Sequence, residues 1–232
     1  MKTLIPFDLA FENANQIKSN ITSSLADRKR VIAIIVPVIV VACMYPIFHL
    51  LAGALVNDQI AWYLGLAIYW LIWGAIFPLM IIGKDNIKRL IQLQRPTRKL
   101  LLLISVPLLG ALAVRLFVPG MSGYEKETAL MLLLVLSTTL GNGFFEEVLW
   151  RGVYVTLFPN NIFYRMIWPS IWFGLWHYIP VSIHNSELTG LIGMMVGPMM
   201  MGLYLSYLTK KTNTLWWAII THVTGGIIMV AW

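Results

Sequence analysis

Five ionisable side chains stand inside runs of apolar residues, and their spacing is that of a reactive site. Glu146, Glu147 and Arg151 occur in "GNGFFEEVLWRG", Gly141 to Gly152, directly after "ALMLLLVLSTTL"; His177 and His222 occur in two later apolar runs. Glu147 and Arg151 are four apart with the acid first, so on an α-helix they share a face and can pair. Glu146 is turned roughly 100° from Glu147 and is left as a free carboxylate. A carboxylate taken out of water is a competent general base, and beside imidazoles in a wet cavity it can activate water against a peptide bond. The alternative is a buried polar network that only fixes helix register.

The solvent around these groups follows from composition. The chain has 232 residues, of which 59% are hydrophobic and 12% charged, and its mean hydropathy is +0.76. That is too apolar for a water-soluble globule of this length, and it reads as an all-α, polytopic helical bundle in a membrane. The net charge of +7 marks loops held on the cytoplasmic side, not a nucleic-acid surface. Cys43 has no partner cysteine in the chain and reads as packing.

At about 20 apolar residues per span, the sequence predicts seven helices, at 31–51, 60–82, 100–118, 129–157, 164–181, 188–208 and 215–232. Lys18, Arg28, Lys29 and Arg30 precede the first. Lys84, Lys88, Arg89, Arg95, Arg98 and Lys99 lie between the second and third, Arg165 follows the fourth, and Lys210 and Lys211 follow the sixth. The alternate loops carry almost no Lys or Arg, the one around Tyr124 having only Lys126 between Glu125 and Glu127. The positive-inside rule therefore predicts a multi-pass protein of the cell membrane with a cytoplasmic N-terminus and an external C-terminus. Glu146 and Glu147 then sit about ten residues, roughly 15 Å, from the inner end of their helix. His177 and His222 fall at similar depth. An ionisable group near mid-bilayer costs roughly 2.5–3.5 kcal/mol, against about 0.3–0.6 returned by a Leu or Val. The polar layer must face protein or a wet cavity.

With these residues in view, the chain resembles the CAAX protease and bacteriocin-processing family of intramembrane proteases, also called CPBP or Abi. The first motif of that family, EExxxR, is "EEVLWR", Glu146 to Arg151, followed by Gly152. The second, FxxxH, is "FGLWH", Phe173 to His177, preceded by Ser170, and the third, HxxxN, is half present as "HVTGG", His222 to Gly226. The resemblance implies catalytic roles for Glu146 as water-activating base, His177 as its assistant, and His222 with the family asparagine as oxyanion stabilisers, Glu147 and Arg151 being the supporting pair. It leaves the cofactor open between metal-free water activation and zinc held by Glu146, His177 and His222 with an open fourth position. HExxH is absent.

Gly226 stands where the family has asparagine. Loss of one oxyanion donor typically costs about 10²–10³-fold in rate, and Asn142, Thr221 and Thr224 are the candidate substitutes. The resemblance thus implies an integral membrane endopeptidase acting on a membrane-associated peptide or protein from the cytoplasmic side. Bacterial members are associated with bacteriocin processing or immunity. The alternative is a scaffold, immunity or regulatory protein with a degenerate protease site, and a transporter lacks the interrupted helices expected at a midplane site.

The expected organisation is a cytoplasmic segment at 1–30, helices and a basic loop at 31–128, and a catalytic core at 129–232. Elsewhere, Gly193 and Gly197 read as a GxxxG packing face, Arg115 as a snorkelling side chain, and 87–99 as lying on the anionic inner leaflet. His49 and His184 lie toward the outer side, away from the polar layer.

Overall fold

Each apolar run forms a helix, because only a helix satisfies its own backbone where water is absent. The computed structural model describes residues 7–117, 129–184 and 188–230; the loop around Tyr124 lies outside the described residues. Eight helical elements occur there, with no strand: α1 (Phe7–Ala54), α2 (Asp58–Ile81), α3 (Lys84–Leu90), α4 (Arg98–Phe117), α5 (129–157), α6 (162–181), α7 (Leu188–Thr212) and α8 (Trp216–Val230). Each of the seven expected stretches is helical over nearly all of its described residues. The eighth is α3, one short helix in the basic loop, entered through Gly83 at a positive φ of 81°.

Four stretches are long and apolar enough to cross a membrane: Ser23–Ala54, Asp58–Ile81, Arg98–Phe117 and Gly190–Thr212. The outward surface is correspondingly apolar, with Leu71, Met80, Leu102 and Leu116 exposed. This is an all-α, multi-pass membrane bundle. The largest departure from the expected limits is in α1, which begins at Phe7, far before residue 31, since the polar segment ahead of the apolar run holds few helix breakers.

Local chemistry sets the remaining limits. Asn57 caps α2, its Oδ1 accepting from the backbone N–H of Gln59 at 2.9 Å and of Ile60 at 3.2 Å. Ala33, Val36, Val40, Met44 and Phe48 recur every three or four residues, making one buried stripe of α1 against Leu66, Tyr69, Trp150 and Trp176. A second core joins Leu100 and Ile104 of α4 to Leu205 and Leu208 of α7 and Trp217 and Ala218 of α8. α8 packs against α4, α5 and α7 and so sits inside the bundle. Its start is tied to α3: the Leu215 N–H and the Thr214 hydroxyl both donate to the Leu90 carbonyl, at 2.7 and 2.8 Å.

Three helices differ from regular α geometry around the polar residues, α2 through a π stretch at Trp70–Ile76. α5 widens into π turns at Asn142–Glu146 and Val148–Val153, and α6 opens with another at Phe163–Ile167. Such turns are rare and concentrate at functional sites.

The glycines of α7 correct the sequence reading. No atom lies within 4 Å of where a side chain at Gly193 or Gly197 would begin, so this GxxxG packs against nothing in the described structure. α7 meets α6 through another face, where a Cβ on Gly174 would stand 2.5 Å from the Met195 carbonyl oxygen. Arg115 is buried instead of snorkelling.

Candidate active site

Glu146 and Glu147 are both buried, at 1% and 0% exposure, while His222 keeps 12% of its side chain accessible. Glu147 pairs with Arg151 as its spacing requires, Oε1 lying 3.0 Å from Nη1. The contact is an ion pair by distance; neither Arg151 Nη makes an aligned hydrogen bond among the described residues. The same Oε1 lies 2.9 Å from His222 Nδ1. A carboxylate only accepts, so His222 carries its proton on Nδ1 and donates it there. His222 Nε2 then faces Glu146 Oε2 at 3.7 Å.

Both acids thus converge on one histidine, where the sequence suggested a pair beside a separate carboxylate. The π turns explain the difference, because more residues per turn make neighbouring side chains fan out less. Gly143 lets α8 approach: a Cβ there would collide with the Val223 side chain.

Glu146 Oε1 accepts the indole N–H of Trp176 at 2.8 Å, and Oε2 has no hydrogen-bond partner among the described residues. Trp176 stacks on Tyr69 of α2, ring centroids 3.7 Å apart and planes 19° apart, and meets the Phe48 ring of α1 at 6.1 Å. Tyr69 in turn accepts from Trp150 Nε1 at 2.8 Å. Phe173, the aromatic of the second motif, stands among the charged groups. The Arg151 guanidinium lies 4.2 Å over its ring, a cation–π contact, and the His177 and His222 rings meet it nearly edge-on at 4.5 and 5.9 Å. Gly202 of α7 closes over this group, its missing side chain giving room to Ser170 and Arg151.

His177 Nδ1 lies 2.7 Å from the Phe173 carbonyl. A carbonyl cannot donate, so this nitrogen is protonated and Nε2 is the free base. Asn142 accepts from Trp70 Nε1 at 2.9 Å through its Oδ1 and is thereby held toward α2. The Thr221 hydroxyl donates within its own helix, to the Trp217 carbonyl at 2.7 Å. Gly226 is a packing position, where a Cβ would run into the Thr139 methyl group. His49 is remote from the acids, 3.1 Å from Ser182 Oγ near the far end of α6, and His184 is exposed there.

Zinc would need Glu146, His177 and His222 to reach one point at about 2 Å each. No group of three or more His, Cys, Asp or Glu side chains is so gathered among the described residues. The arrangement does not fit a metal, and no step below is routed through one.

Sequence reasoning missed Trp176, Tyr69 and Trp150 as members of this site. The available signal was the Trp immediately before the motif histidine; Tyr69, in an unbroken apolar run, gave none.

Among known proteins, residues 128–228 match the family model described as type II CAAX prenyl endopeptidase Rce1-like. No curated protein and no solved structure matches the chain. The matched stretch holds the carboxylates on α5, His177 on α6 and His222 on α8, so this part of the chain is similar to the CAAX protease family of intramembrane endopeptidases.

Proposed function

We propose that the chain hydrolyses a peptide bond of a membrane-associated peptide or protein, with Glu146 as general base and no bound metal. The observation that carries this reading is the pair Glu146 Oε2 and His222 Nε2, 3.7 Å apart, in a group whose charges balance either way. With Glu147 ionised and Arg151 charged, one proton remains to be placed on Glu146 or on His222. The group is neutral in both placements, so moving the proton leaves no uncompensated charge in the interior.

Hydrolysis uses that mobility. Glu146 takes a proton from water as the oxygen bonds to the carbonyl carbon, and the C=O π electrons move onto oxygen. When the tetrahedral species collapses, the C–N bond breaks and the nitrogen leaves with the proton Glu146 returns. His177, with Nε2 as its free nitrogen, assists at the water, and His222 holds the second acid and buffers the proton. Residues 129–232 serve as catalytic core, 31–128 supply flanking helices and the basic loop, and 1–30 is the cytoplasmic segment. The N-terminus faces the cytoplasm and the C-terminus the outside of the cell membrane.

The test is cleavage of an internally quenched peptide library by the full chain in phospholipid vesicles. Glu146→Gln is expected to lower turnover by at least about 10²-fold, the scale of a lost general base, with the folded amount unchanged. A second reading, a scaffold or immunity protein, is favoured by Gly226, which packs on Thr139 where the family carries asparagine. Absence of cleavage by the unmodified chain, with its biological effect intact in Glu146→Gln, would decide for it.

A further inference from the structure

Glu146 has two chemically equivalent oxygens, and the structure makes them unequal. Oε1 accepts from Trp176 Nε1 at 2.8 Å; Oε2 is buried without a hydrogen bond and faces His222. The indole has no freedom to follow another acceptor. It is 1% exposed, stacked on Tyr69 at 3.7 Å and closed at its edge by Phe48, and Tyr69 is fixed through its hydroxyl by Trp150.

We infer that Trp176 is a positioning residue which immobilises Glu146 through Oε1 and thereby selects Oε2 as the oxygen that exchanges protons. This rests on the reading of Glu146 as general base. A carboxylate on a π-widened helix can otherwise rotate about its terminal bond, since that torsion is broad and roughly two-fold. An indole N–H is a donor only, so it accepts no proton and cannot divert one from water. It fixes geometry without entering the reaction. The helices α1 and α2, which carry none of the ionisable groups, thus take part in the site by clamping this ring between Phe48 and Tyr69.

The experiment compares the full chain with Trp176→Phe, which keeps a ring on Tyr69 and removes the donor, and with benzothienylalanine introduced at position 176, which replaces the N–H by sulfur at nearly constant shape. Turnover of a peptide selected from the library is measured per folded molecule in the same vesicles. In parallel, infrared spectra follow the carboxyl band that disappears in Glu146→Gln. The expected result is a fall in kcat of roughly 10- to 100-fold in both variants, the scale of a hydrogen bond to a charged group, with KM within about twofold and the Glu146 band displaced. An unchanged kcat per folded molecule, or an undisplaced band, while Glu146→Gln is inactive, overturns the role of Trp176 and leaves the general base standing. Turnover retained in Glu146→Gln removes the general base itself and this inference with it.

Discussion

The polar layer shared by α5, α6 and α8 and the first turns of α7 are written in the same apolar alphabet, with glycines and large aliphatic side chains, yet they are packed in opposite ways. In the layer several glycines are closed by a neighbour, Gly143 by Val223, Gly174 by Met195 and Met199, and Gly226 by Thr139 among them. Along α7, Gly190, Gly193 and Gly197 meet nothing, and Ile192, Val196 and Met200 are exposed. In a bilayer, apolar exposure costs nothing, so a helix face without partners is stable as it stands. The layer is different: its charges are tolerable only where neighbours come close enough to compensate them. Close approach is demanded by the chemistry, and the glycines follow.

The largest expected loss of stability comes from Glu147. Its Oε1 serves Arg151 at 3.0 Å and His222 at 2.9 Å at once. Glu147→Gln removes the charge and leaves Arg151 buried without compensation, at about 3–5 kcal/mol. Unfolding by graded SDS in mixed micelles measures it, alongside turnover per remaining folded molecule. Turnover should fall as well, because the amide oxygen left at position 147 holds the His222 Nδ1 proton without a charge. An equal cost from a like substitution at an exposed ionisable residue outside the layer, such as Asp58→Asn at the start of α2, would show that the cost is not particular to the buried layer.

Gly226→Asn has the next largest effect. As a sequence, the substitution restores the family motif and should raise the rate. In the fold, any Cβ at this position meets the Thr139 methyl group, and overpacking of this kind costs about 1–3 kcal/mol. The expected outcome is a smaller folded fraction with no gain in turnover per folded molecule. Combining it with Thr139→Gly, which removes the obstructing methyl, should recover folded protein. A rate gain in that double variant alone would show that position 226 can supply an oxyanion donor once the space exists.

These cases mark what was legible in the sequence. The ionisable residues were, because lipid makes each expensive and so draws attention to Glu146, Glu147, Arg151, His177 and His222. The helices were, because runs of this hydropathy admit little else. The π turns of α5 were not: nothing local in "GNGFFEEVLWRG" distinguishes them from an α-helix, and they alter which way Glu146 and Glu147 point. Trp176 and Tyr69 were not, since an aromatic in an apolar run looks like packing whether or not its N–H or O–H is engaged. Gly193 read as a packing glycine and Gly226 as a missing donor, and only a partner distant in sequence, Thr139 against Gly226, shows which of the two packs.

The smallest effect is expected at Gly197, and it sharpens the comparison most. Gly193→Ala and Gly197→Ala add a Cβ with no atom within 4 Å. They also replace glycine by the best helix former, worth about 0.5–1 kcal/mol in favour of the helix in an exposed interior position. Stability should therefore be unchanged or slightly raised, and turnover per folded molecule unaltered, in the same SDS titration that reports the loss at Gly226. The sign is what carries information. A rise fits a lipid-facing stretch governed by helix propensity alone. A clear loss would mean that a second helix covers these glycines in the membrane, and copies carrying Val196→Cys with Cys43→Ser would then crosslink as dimers, a product abolished by adding Gly197→Ala. Monomeric crosslinking with raised stability would leave the two regions as unlike in energetics as they are in packing.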